Sequence, residues 1–378
     1  MPSNSTEPAA APAAAPAGRA SPLATLAIVA AITAALFVLV EGAASLLLSA
    51  REAKRTLYMR EESHSRYDAE LGWSHRPGLR IEGMYGEGTA FTTNAQGLRA
   101  REEYAKAVPA GRYRMIAVGD SFTMGYGVDD AATYAARMQE ACPTLQTANM
   151  GQGGYGVDQG YLWYKRDGTK LDAQLLLFAM IAQDFFRMGG DTFIGYPKPV
   201  LRARDGKLAV ENVPVPRAWE SRTTLRRART FAESLAIVRA AHWVAGKLSG
   251  EAPAGRAEQF YGTVPDEVFA AAKLAFDDLA ALSRARGQQF VLVYLPVAEL
   301  LPREPSREAA WLEAYARDSG VPFVNLTAEF ERLTPAELAR MFRIDSHYSD
   351  EGNRFVARAL LRHLAAKVPG FPGCAGAT

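Results

Sequence analysis

Cysteine is almost absent from this chain: there are two, Cys142 and Cys374, in 378 residues. No CxxC pair and no Cys/His cluster occurs, so the usual zinc-site spacings are missing and neither a metal nor a cofactor is expected. A one-sided charge is lacking too. The 43 Lys and Arg stand against 41 Asp and Glu, a net charge of +2. No basic excess points to nucleic acid, and there is no acidic tail. Internal repeats are absent. A glycine-rich stretch at 149–156 is not followed by the GK[ST] that a phosphate-binding loop requires.

What is present divides the chain unevenly. Residues 2–18 are mostly Ala and Pro and read as a disordered lead, taken here to residue 22. Leu23 to Val40 then runs 18 residues without a charge. That length just suffices to span a bilayer core. With the uncharged residues after Glu41 it predicts a transmembrane signal anchor over 23–49. A cleaved signal peptide is the competing reading, because Gly42, Ala43 and Ala44 are small, but the apolar stretch is long for one. Residues 50–111 read as a charged juxtamembrane helix (51–66) and an irregular β-containing collar (67–99) rich in Gly and turn residues.

From 112 to 369 apolar strands alternate with helices. Strands are expected at 114–118, 145–149, 175–181, 290–295 and 321–326. Helices are expected at 121–142, from 157, and at 265–285, 306–318 and 350–366. The continuous apolar run Leu175 to Ile181 suits a strand buried on both faces. The alternation implies an α/β fold with a flavodoxin-like, doubly wound parallel sheet. Residues 188–262 break the rhythm as an insertion. Within it, Asp205-Gly206 marks a β-hairpin, and a helix is expected at 224–248. The apolar stripe with Trp243 at 233–247 reads as core packing.

In an open parallel sheet, chemistry sits at the carboxyl ends of the strands. Ser121, in Gly119-Asp120-Ser121-Phe122, directly follows the first such strand and opens a helix. Alone, it is equally an N-cap serine. Among five histidines, His347 alone has a close acidic neighbour, Asp345, inside a loop after the sheet. Its imidazole could serve as base toward Ser121, with Asp345 holding the other ring nitrogen. Gly151, after the second strand, could aim a backbone N–H at a developing oxyanion, or simply make a turn. Gln183, after the third, could add a side-chain amide, or be a polar strand terminus.

Together these positions resemble the SGNH (GDSL-like) hydrolase superfamily. The blocks are GDSFT at 119–123, NMGQGGYG at 149–156, AQD at 182–184 and DSHYSDEGN at 345–353, in the expected order over residues 112–366. The collar (ELGW…TTNAQGLR) and the hairpin ending in NVPVP resemble parts of membrane-anchored bacterial members. The resemblance implies Ser121 as nucleophile, His347 as base and Asp345 as its orienting group. It implies an oxyanion hole from the N–H groups of Ser121 and Gly151 and an asparagine side chain. The aligned position here holds Gln183, one methylene longer, which bears on rate and not on reaction class.

In a flavodoxin-like winding the first and last helices run side by side, so a Cys142–Cys374 disulfide is expected, with two unrelated thiols as the alternative. A disulfide fits an oxidising compartment. Arg51, Lys54, Arg55 and Arg60 after the span would by charge alone place the domain in the cytoplasm. The disulfide and the signal-like anchor outweigh that count and point to the periplasm or cell exterior. The expected activity is a membrane-anchored serine esterase acting on acyl, above all acetyl, esters of envelope carbohydrate or lipid. An O-acyltransferase with the same triad and a non-catalytic scaffold of this fold are the alternatives.

Overall fold

The computed structural model describes residues 21–53, 64–217, 235, 237, 263–301 and 305–374. The expected disordered lead, most of the juxtamembrane helix and the insertion helix at 224–248 lie outside the described residues. The chain divides into two compact units, one of residues 1–55 with 228–250 and one of 56–227 with 251–378.

In the first unit, helix α1 spans Pro22–Ala53. Its segment Pro22–Leu46 is long and apolar enough to cross a membrane. Glu41 is the one charged residue in that segment, and its carboxylate accepts the Ile237 backbone N–H at 2.9 Å.

The second unit is organised by five parallel strands: β5 (Tyr113–Gly119), β6 (Leu145–Gly151), β7 (Leu175–Met180), β12 (Gln289–Tyr294) and β13 (Phe323–Asn325). Their spatial order is β6-β5-β7-β12-β13. In order of appearance this is 2-1-3-4-5, the flavodoxin-like winding, whose switch point lies between β5 and β7. Strands β6 and β7 are buried at every position, as their apolar runs require. The helices α3 (Tyr134–Ala141), α4 (Val157–Arg166), α6 (Asp266–Ala285), α7 (Arg307–Ser319) and α10 (Asp350–Lys367) flank the sheet, while the short α2 (Ser121–Met124) and α5 (Ala182–Met188) follow strand ends. Two short helices, α8 (Thr327–Glu331) and α9 (Pro335–Met341), lead to the loop that carries His347. Helices α3 and α10 pack together, and Cys142 and Cys374 beyond their ends form a disulfide with Cα atoms 4.9 Å apart.

The helix expected over 121–142 is broken. Gly125 ends α2 in the left-handed conformation (φ 84°), and Asp129 and Thr133 cap new turns at 130–132 and at α3. The carbonyls left over by the break are taken by one buried side chain. Arg99 donates through Nη1 to Met124 O (2.7 Å) and Gly125 O (2.5 Å), and through Nη2 to Val128 O (2.7 Å). A buried carbonyl without a donor would be costly, so this guanidinium fixes the path of the chain after Ser121.

Arg99 belongs to the collar, which consists of two small hairpins. Strands β1 (Ser65–Asp68) and β2 (Gly72–His75) make one, and β3 (Arg80–Glu82) and β4 (Ala90–Thr92) the other. The collar is bonded onto the α/β core: Ala90 N–H reaches Asp129, Thr92 N–H reaches Asp130, and Trp73 Nε1 donates to Gly153 O at 2.9 Å. Two histidines are buried within it. The His64 ring stacks on Phe91 at 4.8 Å, and His75 meets Phe91 edge-on.

Burial, helped by the charge of Arg99, pushes the His64 ring down to about 4, and burial also holds His75 well below the usual range. Both rings are therefore neutral when folded and take up protons when unfolded. That stability is complete above pH ~6.5 and drains away as pH falls toward ~4; for His64 alone it amounts to about 3 kcal/mol. We expect thermal unfolding scans from pH 7 to 4.5 to show a falling midpoint, and His64→Phe to flatten that slope. A slope unchanged in the variant would refute this assignment.

Candidate active site

Ser121 is placed by its neighbour. Asp120 sits at the N-cap of α2 in an extended conformation, and its Oδ1 accepts the Phe122 N–H at 2.9 Å. The short helix thereby starts at the end of β5, with Ser121 as its first residue and only 6% exposed. Gly151, at the end of β6, lies against this helix. A Cβ there would stand 2.0 Å from Met124 N, so only glycine lets α2 sit on the strand.

The loop that carries His347 comes from the far end of the chain. An isolated bridge between Phe342 and Tyr348 closes it, with Arg343 N–H donating to His347 O at 2.8 Å. Ser346, at its tip, adopts φ 70° and donates to the Glu299 carboxylate. On the other side Arg343 Nη1 donates to Gly127 O at 2.7 Å. Held this way, His347 presents Nε2 to Ser121 Oγ at 2.8 Å. Its ring lies between Phe122 and Tyr126, with centroids 4.8 and 4.4 Å away.

Asp345 lies on the opposite side of the ring. Its Oδ1 is 3.5 Å from His347 Nδ1 and also accepts the His347 backbone N–H at 3.3 Å. At 3.5 Å the side-chain contact is longer than a formed hydrogen bond. Burial alone would raise the Asp345 carboxyl, but His347 and Arg343 outweigh it and hold the group below the ordinary carboxylate range.

Two other expected residues are placed differently from each other. Gly151 cannot present its N–H to an oxyanion, because it already donates to Asn149 Oδ1 at 2.9 Å. Its role is the close approach described above. Within 151–155, the N–H groups without an acceptor among the described residues are those of Gly153 and Gly154. Gly154 has φ +77°, which turns the loop there. Gln183 is buried at the start of α5, and its Oε1 has no hydrogen-bond partner among the described residues.

Behind Ser121 lies a charge cluster that was not anticipated. Arg187, three residues beyond Asp184 on α5, donates through Nη1 to Asp120 Oδ2 (2.9 Å), Asp184 Oδ1 (2.7 Å) and Tyr155 O (3.1 Å). Asp184 also accepts the Ile181 N–H at 3.0 Å. All three charged side chains are nearly excluded from solvent. Burial, with the charge of Asp120 added, pushes the Asp184 carboxyl well above its usual range. The only signal in the sequence was the spacing of Asp184 and Arg187, a common helical pairing that identifies no third partner.

No family model matches this sequence, and no curated protein does. Among solved structures, the chain is similar to a lipolytic protein of the G-D-S-L family from Desulfitobacterium hafniense, at 13% identity over 66% of this chain and 99% of that one, with a TM-score of 0.36. It is similar to an acetyl-xylooligosaccharide esterase from Geobacillus at 14% identity, covering 69% and 96% with a TM-score of 0.38. A GDSL-like lipase from Bacteroides thetaiotaomicron gives 13%, 70%, 92% and 0.35 in the same order.

The Arg187 cluster generates a test of opposite sign to the histidine one. In Arg187→Gln two buried carboxylates lose their common cation, which costs about 3–5 kcal/mol near neutral pH. The folded state then binds more protons than the unfolded state, so stability falls as pH rises. Urea unfolding at pH 5 and pH 8 should show the variant losing more at pH 8 than the parent does. Equal losses would exclude this electrostatic role.

Proposed function

We propose that this chain is a membrane-anchored serine esterase. The observation that carries the reading is the 2.8 Å approach of His347 Nε2 to Ser121 Oγ, between residues 226 positions apart. In this reading Ser121 Oγ attacks the carbonyl carbon of an ester while Nε2 takes its proton. The carbonyl electron pair moves onto oxygen, and the C–O bond to the leaving group then breaks. The departing alcohol takes the proton from His347, and the acyl group stays on Ser121. Water attacks that acyl group, again giving a proton to Nε2, and the acid leaves as Ser121 is re-formed.

Asp345 serves by keeping Nδ1 protonated and favouring the imidazolium. The oxyanion faces the N–H of Ser121, the N–H of Gly154 and the amide of Gln183. For the last of these the donor is the side-chain Nε2–H, carried by a residue buried just after the end of β7. The longer side chain reaches from the start of α5, where a helix N-terminus adds partial positive charge.

The substrates that fit this reading are acyl esters of envelope carbohydrate or lipid. Helix α1 serves as the anchor. The Cys142–Cys374 disulfide supports a catalytic domain facing the periplasm or cell exterior, because thiols in the cytosol stay reduced.

Full-length protein in detergent should hydrolyse short 4-nitrophenyl esters, and a fluorophosphonate should label Ser121. Ser121→Ala should lower kcat by at least about 10³-fold and abolish labelling. Hydrolysis unchanged by that substitution would overturn the proposal.

A further inference from the structure

The insertion after α5 contains a hairpin of unusual composition. Strands β8 (Thr192–Phe193) and β9 (Tyr196–Pro197) pair Phe193 with Tyr196, leaving the two-residue turn Ile194-Gly195. Both turn residues have positive φ, 48° and 82°. Such turns favour Asn, Asp or Gly at the first position, because a β-branched side chain there is strained. Yet Ile194 occupies it and is 67% exposed. Strain that is kept while an apolar side chain is shown to solvent points to a function for that side chain.

The hairpin is rigidly based. Lys198, immediately after it, is fully buried and donates through Nζ to Asp158, to Gly190 O (3.1 Å) and to Pro199 O (2.9 Å). Gly72 of the collar presses on Pro197, where a Cβ would lie 2.5 Å from its carbonyl oxygen.

The hairpin also packs against the Gly154 loop and the Arg187 guanidinium. The Phe193 ring fills the space a Cβ on Gly154 would need, 2.5 Å away. The Arg187 guanidinium lies 5.1 Å from the centre of that ring while binding Asp120, the neighbour of Ser121. Trp73 stacks on Phe193 at 6.3 Å and meets Tyr196 edge-on at 6.4 Å.

The chemistry says which part of a substrate meets this wall. His347 must return its proton to the leaving oxygen, so the leaving group lies on the His347 side, near Phe122 and Tyr126. The acyl substituent points away from that side. We propose that the hairpin Thr192–Pro197 is the acyl-binding wall of the Ser121 site, and that Phe193, Ile194, Tyr196 and Trp73 select esters whose acyl chain is apolar and longer than acetyl. This rests on the esterase reading above. Arg187, the charged group at the wall, is engaged by Asp120 and Asp184 and gives no reason for a charged acyl group.

The test compares 4-nitrophenyl octanoate with 4-nitrophenyl acetate, using full-length protein in detergent. The parent should have the higher kcat/KM on octanoate. Ile194→Asn suits the turn better than isoleucine does, so folding is not the obstacle. It should lower the octanoate-to-acetate ratio about tenfold, the expected scale for one aliphatic side chain leaving an apolar contact. Val210→Asn, at an exposed apolar residue on the separate hairpin of β10 (Val200–Arg204) and β11 (Lys207–Glu211), should leave the ratio unaltered. A parent that prefers acetate, or a ratio within twofold in Ile194→Asn, would overturn the acyl-wall proposal alone. No turnover of either ester together with an unlabelled Ser121 would remove the esterase reading and this proposal with it.

Discussion

One guanidinium ties the carboxyl ends of three adjacent strands together. Arg187 binds Asp120 after β5, the Tyr155 carbonyl after β6 and Asp184 after β7. A parallel sheet by itself fixes strand spacing, but leaves the loops beyond it free to choose their paths. Here the loops meet at a cation that must be satisfied, because a buried charge without partners is far costlier than a strained turn. The N-cap that presents Ser121, the glycine loop beside it and the start of α5 with Gln183 therefore share one fixed point. The His347 loop is held separately, by Glu299 and Gly127. The two halves of the site meet at the Ser121–His347 hydrogen bond, at the Arg343–Gly127 bond and where the His347 ring packs on Phe122 and Tyr126.

Much of this was legible from residues alone. The five core strands appear within one or two residues of their expected limits, because period and apolarity decide a buried parallel strand. The meeting of Ser121, Asp345 and His347 was legible because strand ends and the loop after the last strand face the same edge of a parallel sheet. The disulfide followed from the winding. What was not legible has a common cause. The break of the first helix depends on Gly125 accepting φ 84° and on Arg99, distant in sequence, accepting the freed carbonyls' demand for donors. Arg187 likewise binds three segments at once, and no local pattern announces a contact of that kind. Gly151 was misassigned for a similar reason. Its glycine is required by the approach of α2, and its N–H is taken by Asn149, a side chain whose direction the sequence does not specify.

The hairpin after α5 shows how an insertion can be stiff without a large core. A fully buried ion pair, Lys198 with Asp158, holds its base, and aromatic packing on Trp73 holds its flank. Neither would stabilise an isolated hairpin. Both work because the partners sit on α4 and on the collar, which the sheet already positions. The strained Ile194 is carried by that support, and the cost of the turn is spread over the neighbouring elements.

The collar's contribution has a consequence for how the protein would be lost. Arg99 precedes the first strand of the parallel sheet, yet it completes the turn that follows Ser121. A protease cutting between the collar and residue 112 would leave all five parallel strands, with Ser121, Asp345 and His347, in one covalent piece. It would still loosen the grip on the carbonyls of Met124, Gly125 and Val128, and so on the helix that displays Ser121. Nicking in this stretch would disturb the setting of Ser121 while the α/β core stayed intact, which makes the segment from Arg99 to Arg112 a point where the survival of the chain and the geometry of the site are joined.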